Sequence, residues 1–178
     1  MTSLFAVTVL VALVAAERLV ELVVSKVNAN WSLRRGGVEY GRGHYRVMVV
    51  LHTGFLVAVL AEAWLRRPDV SPALAWSMLV LVVAAQGLRW WCIATLGPRW
   101  NTRVIVVPGM APVTTGPYRW LRHPNYVAVV VEGVALPLFH ACWITALVFT
   151  VANAVLLATR IRVEDAALAS LPRSTVDA

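Results

Sequence analysis

Long apolar segments dominate this chain and limit what it can fold into. Five of them, at residues 4–25, 47–64, 72–96, 127–139 and 142–159, are interrupted by few charges. Sixty per cent of the 178 residues are hydrophobic and 14% are charged, against about half and a quarter in soluble domains. A soluble core could not hide this much apolar surface. We therefore predict a single-domain (1–178), all-α integral membrane protein with five transmembrane helices and a C-terminal helical hairpin.

The first segment contains three charges near its end, Glu17, Arg18 and Glu21. A cleaved signal peptide would explain an apolar start, but no basic residue precedes the run and the helical pattern continues past Ala16. We predict a spanning helix whose charged end lies at the interface or finds partners inside the bundle.

The fourth segment, residues 127–139, is too short to cross a bilayer alone. It has 13 residues, whereas a spanning helix needs about 20. We expect it to begin within residues 124–126, or to tilt inside a hairpin with the fifth segment.

Some polar and sulfur-bearing residues fall inside the apolar segments. His52 and Glu62 either face the bundle and headgroups or line a substrate path. Cys92 and Cys142 lack metal-ligand spacing and are interpreted as small buried hydrophobes. No metal site is predicted.

Basic residues are distributed unequally between the two sides. Alternating helices place twelve Lys and Arg, in residues 26–46, 97–122 and the tail 160–178, on one side, and Arg66 and Arg67 on the other. The positive-inside rule then predicts the N-terminus outside and the C-terminus in the cytoplasm of a multi-pass protein of the bacterial cell membrane. This rule explains the net charge of +7, and the arginines form no groove-reading cluster, so no nucleic-acid partner is predicted.

One polar stretch, residues 116–126, reads Gly-Pro-Tyr-Arg-Trp-Leu-Arg-His-Pro-Asn-Tyr. Prolines 108, 112, 117 and 124 keep it and the preceding connector irregular, and such backbone at membrane depth is tolerated where it lines a polar cavity. Farther on, Arg160 and Glu164 stand four apart, on one face if the last helix continues. Singly, these features fit lipid contacts, a surface ion pair or a helix start; together they predict a site at the cytoplasmic face.

These two motifs, separated by an apolar hairpin, resemble those of the isoprenylcysteine carboxyl methyltransferases and their bacterial relatives. The family pattern is Gly-x-Tyr-x-x-x-Arg-His-Pro-x-Tyr followed by Arg-x-x-x-Glu-Glu-x-x-Leu, with Asp165 here in place of the second glutamate. The likeness covers about the last hundred residues, within a core at 72–178 that follows an N-terminal two-helix part at 1–71.

The resemblance implies S-adenosylmethionine as the cofactor and a lipophilic small molecule, entering from the bilayer, as the acceptor. It places Arg160 against the acceptor and gives Arg160, Glu164 and His123 the catalytic roles. The implied cofactor contacts, carried over by position, are Arg103, Met110, Ala111, Pro112, Val113, Tyr118, His123, Pro124, Asn125, Tyr126 and Glu164. Relatives often continue well past the second motif, whereas this sequence ends ten residues after Leu168. We therefore expect a pocket that is more open or closed differently.

The N-terminal half, through residues 17–21 and 41–45, resembles a bacterial branch associated with lipid-like polyketide products such as alkylpyrones. The resulting prediction is an O-methyltransferase acting on a carboxylate or acidic hydroxyl of an amphiphile. Three alternatives stay open: a phospholipid amine N-methyltransferase, an NADPH-dependent sterol-type reductase, and a non-catalytic lipid-binding subunit.

Overall fold

The computed structural model describes residues 4–169, and five α-helices make up most of that range. They are α1 (Leu4–Leu33), α2 (Arg42–Arg66), α3 (Pro72–Leu96), α4 (Pro124–Leu138) and α5 (Trp143–Ala169). The predicted all-α character is therefore confirmed. Arg173, counted in the basic tail, lies outside the described residues.

Three of these helices are long and apolar enough to cross a membrane. They are α2, α5 and α3 with the 3-10 turn that follows it, Arg42–Arg66, Trp143–Ala169 and Pro72–Arg99. Helix α4 has 15 residues, about 22 Å of helix, and α1 carries the three charges named above. The protein is thus helical with three candidate membrane spans, and the five-helix count and its orientation stay predictions.

Several predicted boundaries were too narrow. Helix α1 extends to Leu33 and α2 already begins at Arg42, so residues 26–46 are mostly helical rather than a polar connector. Helix α5 continues to Ala169, ten residues past the predicted end of the apolar segment. In each case the helix continues into polar sequence, because backbone hydrogen bonding does not require an apolar face. The expectation that α4 begins at residues 124–126 is confirmed.

A small antiparallel ladder joins the two long connectors. Strand β1 (Val38–Tyr40) pairs with β2 (Val104–Val106), with Glu39 opposite Ile105. Our sequence reading had no strand here, because three-residue strands produce too short an alternation to recognise. The ladder brings the start of α2 against the connector that precedes the polar stretch.

The charged end of α1 finds its partners inside the bundle. Of the two predicted alternatives, an interface position or partners in the bundle, the second is therefore confirmed. Arg18 donates to Glu21 at 2.6 Å and to Glu132 of α4 at 2.6 Å, and Arg89 of α3 donates to Glu132 at 3.1 Å. Glu21, Arg89 and Glu132 are each at most 6% exposed. A buried ionic cluster of these four residues therefore ties α1, α3 and α4 together.

Glu62 has a structural role at the opposite end of the bundle. Its carboxylate accepts hydrogen bonds from the backbone N–H groups of Ile144 and Thr145, at 3.2 and 2.7 Å. These are orphan donors in the first turn of α5, which a negative charge satisfies well. His52 forms a hydrogen bond with the Met48 carbonyl and packs edge-on against Phe149. Glu62 and His52 therefore both face the bundle.

Candidate active site

Arg160 and Glu164 lie one turn apart on α5, because the helix continues through them without a break. The Arg160 residue is 6% exposed, whereas the Glu164 side chain is 32% exposed. The structure thus places a buried guanidinium beside a carboxylate that a ligand can reach.

Glu164 is surrounded by residues from the polar stretch. The Tyr126 hydroxyl donates to its carboxylate at 2.7 Å, and Nδ1 of His123 lies 3.7 Å from it. The rings of His123 and Tyr126 stack with centroids 5.5 Å apart, and Nε2 of His123 lies 3.2 Å from Asp165. Two predicted site residues of the polar stretch, His123 and Tyr126, therefore meet the carboxylate of a third, Glu164, which lies 38 positions beyond Tyr126.

The neighbouring residues of the stretch are held by close packing. Pro124 begins α4, where its missing N–H costs nothing, and is fully buried. The Oδ1 atom of Asn125 is buried without a hydrogen-bond partner. Tyr118 lies beside Cys92 of α3, and burial, followed by the adjacent thiol, raises the pKa of its hydroxyl. Tyr118 is therefore a neutral hydrogen-bonding group at physiological pH.

Gly116 explains how the stretch approaches α3 so closely. Its φ is +57°, and a Cβ there would lie 2.5 Å from the Thr95 hydroxyl. Both the backbone conformation and the contact require glycine. This residue fixes the turn that presents Tyr118 and, farther on, His123.

His123 supplies a pH prediction. The neighbouring Glu164 carboxylate raises the pKa of His123 above the usual value, outweighing the opposing effect of burial. Because the folded protein holds this proton more tightly, its stabilisation is complete below the unfolded pKa of about 6.5 and is lost as pH rises through the higher folded value. We expect His123→Gln to lower stability by about 1 kcal/mol at pH 5.5, a figure discounted for partial solvent exposure, and by less at pH 9.

Thermal unfolding of the detergent-purified protein at both pH values measures this difference. His44→Gln is the matched control, since His44 has no carboxylate contact among the ion pairs of residues 4–169. A His123 effect that is equal at the two pH values would contradict the assignment.

Arg160 lines a narrow cleft that the sequence did not reveal. One of its terminal nitrogens donates to the Thr102 carbonyl at 2.8 Å, while its Nε is buried without a partner. The cleft, which we call the Arg103 cleft, is lined by Glu39, Tyr40, Gly41, His44, Tyr45, Arg103, Val104, Arg160 and Val163. The N-terminal half thus contributes five residues, from β1 and the start of α2. The polar run 41–45 was the available signal, but only a resemblance was drawn from it.

The predicted turn at Met110, Ala111, Pro112 and Val113 lies elsewhere. It lines an open cleft of about 690 Å³ against the end of α3 and Trp31 of α1. The Ala111 carbonyl accepts a hydrogen bond from Arg99 at 2.9 Å. The lining of this cleft includes neither Glu164 nor Arg103. The predicted residues therefore occupy three places, the Glu164 carboxylate group, the Arg103 cleft and this open cleft, rather than one cavity.

Comparison with known proteins places this geometry in context. Residues 78–170 match the isoprenylcysteine carboxyl methyltransferase (ICMT) family. A Bacillus subtilis (strain 168) protein named YpbQ and described as uncharacterized is 36% identical over 160 residues, which cover 89% of this chain and 94% of the relative. An uncharacterized Haemophilus influenzae protein is 25% identical over 165 residues, covering 92% and 95% of the two chains. No solved structure matches the chain significantly.

Proposed function

Because the chain belongs to the isoprenylcysteine carboxyl methyltransferase family, which makes it a membrane methyltransferase by kinship, we propose that it uses S-adenosylmethionine to methylate an oxygen of a lipophilic small molecule. The acceptor oxygen belongs to a carboxylate or an acidic hydroxyl, and the molecule enters from the bilayer. The site faces the cytoplasm, where the cofactor is available.

The observation that carries this proposal is the pairing of opposite charges on one face of α5. Glu164, with Tyr126 and His123 around it, offers a partly exposed carboxylate, and Arg160 offers a guanidinium one turn away. A cationic methyl donor and an anionic acceptor need such a neighbouring pair. Two positively charged groups or two carboxylates would serve only one reactant.

The residues present fit the cofactor. S-adenosylmethionine carries an ammonium group and a sulfonium, and Glu164 and the unpaired Oδ1 of Asn125 are acceptors suited to cations. The open cleft of about 690 Å³ is within the size range of small-molecule sites. The proposed holding residues are Met110, Ala111, Pro112, Val113, Tyr118, His123, Pro124, Asn125, Tyr126 and Glu164.

When bound, the cofactor supplies an electrophilic methyl group. The protein's task is then to align the two reactants and exclude water, because displacement at a methyl carbon must be in line. Glu164 holds the donor's ammonium, and Arg160 holds the acceptor oxygen by charge-assisted hydrogen bonds. No strong base is needed for an acceptor that is already anionic. For an acidic hydroxyl, His123 is positioned to take the proton.

Arg160 also separates this proposal from its rivals. An amine acceptor, as in a phospholipid N-methyltransferase, would gain nothing from a neighbouring guanidinium. A nicotinamide-dependent reductase requires NADPH binding. A non-catalytic lipid-binding subunit requires neither cofactor.

The decisive experiment follows a labelled methyl group. Membranes containing the protein are incubated with methyl-labelled S-adenosylmethionine, and label is measured in the extracted lipids. We expect one labelled product whose methyl group is released by ester hydrolysis or ether cleavage. Calorimetric titration of the purified protein should show binding of S-adenosylhomocysteine and none of NADPH. Binding of NADPH alone, or label on nitrogen, would overturn the proposal.

A further inference from the structure

Arg103 was expected among the cofactor contacts, but its surroundings belong to a different part of the site. Its guanidinium stacks over the Tyr45 ring at 4.9 Å, and its Nη1 lies 3.6 Å from the Glu39 carboxylate. The lining of the open cleft beside Met110 includes neither Arg103 nor its two neighbours Tyr45 and Glu39. Arg103 instead shares its cleft with Arg160.

The contacts that hold Arg103 are weak enough to be exchanged. A separation of 3.6 Å is an ion pair without a good hydrogen bond, and the Arg103 side chain is 40% exposed. Glu39 also lies 3.5 Å from Arg42, so its charge is shared between two arginines. An incoming anion can therefore take the place of Glu39 at Arg103 without leaving Glu39 unpaired.

Arg160 lines the same cleft and keeps one donor without an acceptor. The residue is 6% exposed, and its Nε is buried with no hydrogen-bond partner. An unmet donor on a buried guanidinium is costly, because the group loses water without replacement. Arg160 is therefore suited to an oxygen ligand that enters this cleft.

The charges of the cleft limit what that ligand can be. Within the lining, Arg103 and Arg160 carry positive charge and Glu39, which also lies 3.5 Å from Arg42, carries the one negative charge. The excess of positive charge favours an anion, and a carboxylate, enolate or phenolate oxygen can accept from both arginines. The two tyrosines and His44 add flat, amphipathic surface beside the charges.

We propose that Arg103 and Arg160 together bind the monoanionic head of the methyl acceptor, and that β1 and the start of α2 form the wall that selects it. Arg103 is accordingly an acceptor-binding residue rather than a cofactor contact. This inference rests on the proposed function, since it identifies the Arg103 cleft as the acceptor's side of the same site. No water-sized space remains between the walls, so the acceptor must move the Arg103 side chain to enter.

The test measures the two ligands separately on the full-length protein in detergent. Tritiated palmitate, a long-chain monoanion, is the acceptor probe in a scintillation proximity assay, and S-adenosylhomocysteine is titrated by calorimetry. We expect Arg103→Gln to weaken palmitate binding about tenfold, the scale of one charge-assisted hydrogen bond. Glu39→Gln should strengthen it severalfold, because Arg103 loses its competing partner. Both variants should bind S-adenosylhomocysteine as the wild type does.

Arg34→Gln is the matched control, since Arg34 is an exposed arginine of the connector between α1 and α2 and does not line the cleft. It should change neither affinity. The inference is overturned if the wild type does not bind palmitate, if Arg103→Gln weakens S-adenosylhomocysteine binding instead, or if Arg34→Gln has the same effect on palmitate as Arg103→Gln. Failure of the proposed function would appear differently, as absent S-adenosylhomocysteine binding in every variant.

Discussion

Replacing Glu164 with glutamine should lower the affinity for S-adenosylhomocysteine on the order of 100-fold while the helices stay folded. The substitution keeps the size of the side chain and its bond from Tyr126, and removes only the negative charge. That charge is the group proposed to hold the cofactor's ammonium. The side chain is 32% exposed near the C-terminal end of α5.

Calorimetry in detergent measures the affinity, and circular dichroism checks the fold. Asp165→Asn is the matched control, because the adjacent carboxylate is 38% exposed and also contacts His123. We expect that control to change the affinity less than about threefold. Equal effects at both positions would show that general negative charge, not Glu164, attracts the ligand. Unchanged affinity in the Glu164 variant would contradict the proposed cofactor site.

The sequence was most informative where a motif and a helix boundary coincide. The apolar segment 127–139 is too short to cross a bilayer, which predicted a start of α4 within residues 124–126, and the helix begins at Pro124. The spacing of Arg160 and Glu164 predicted a shared face, which an unbroken α5 provides. Both inferences depend on the geometry of a single helix, which can be applied without knowledge of the tertiary structure.

Contacts between the two halves could not be predicted in the same way. The pairing of β1 with β2 joins segments more than sixty residues apart through three residues each, and no periodicity indicates such a ladder. Tyr45 and Glu39 reach Arg103 only because of that pairing. The acceptor wall was therefore missed, although the residues on α4 and α5 were identified.

Polar residues within the apolar segments were correctly expected to need partners, but their partners were not identifiable. Glu62 could have lined a path, yet it binds the first turn of α5, because the α4–α5 turn brings that turn to it. Likewise, the need of Arg18 for a partner was evident, whereas Glu132, 114 positions away, was not. Sequence shows that a charge must be satisfied, and only the packing shows by which residue.

Removing the charge of Glu132 should be the most destabilising single change in the helical bundle. Glu132 is 5% exposed and accepts hydrogen bonds from Arg18 at 2.6 Å and Arg89 at 3.1 Å. In Glu132→Gln, the buried Arg89 would lose the carboxylate that accepts its hydrogen bond and keep only Glu21, 3.5 Å from its Nε. Arg18 would keep Glu17 and Glu21. Breaking a buried ion pair from one side costs about 3–5 kcal/mol. We expect a loss of that size in the free energy of unfolding, measured by SDS titration with circular dichroism.

A control variant and a double variant separate the loss of a buried charge partner from a general sensitivity to mutation. Asp69→Asn removes the same charge from an exposed turn and should change stability by less than about 0.5 kcal/mol. The double variant Glu132→Gln with Arg89→Gln removes one charge of each sign and leaves Arg18 with Glu17 and Glu21. Because no buried arginine is then left without its acceptor, the double variant should regain part of the loss. If the double variant is no more stable than Glu132→Gln alone, unpaired charge is not the reason for the loss. The cluster would then stabilise α1 against α3 and α4 through shape and hydrogen bonding instead.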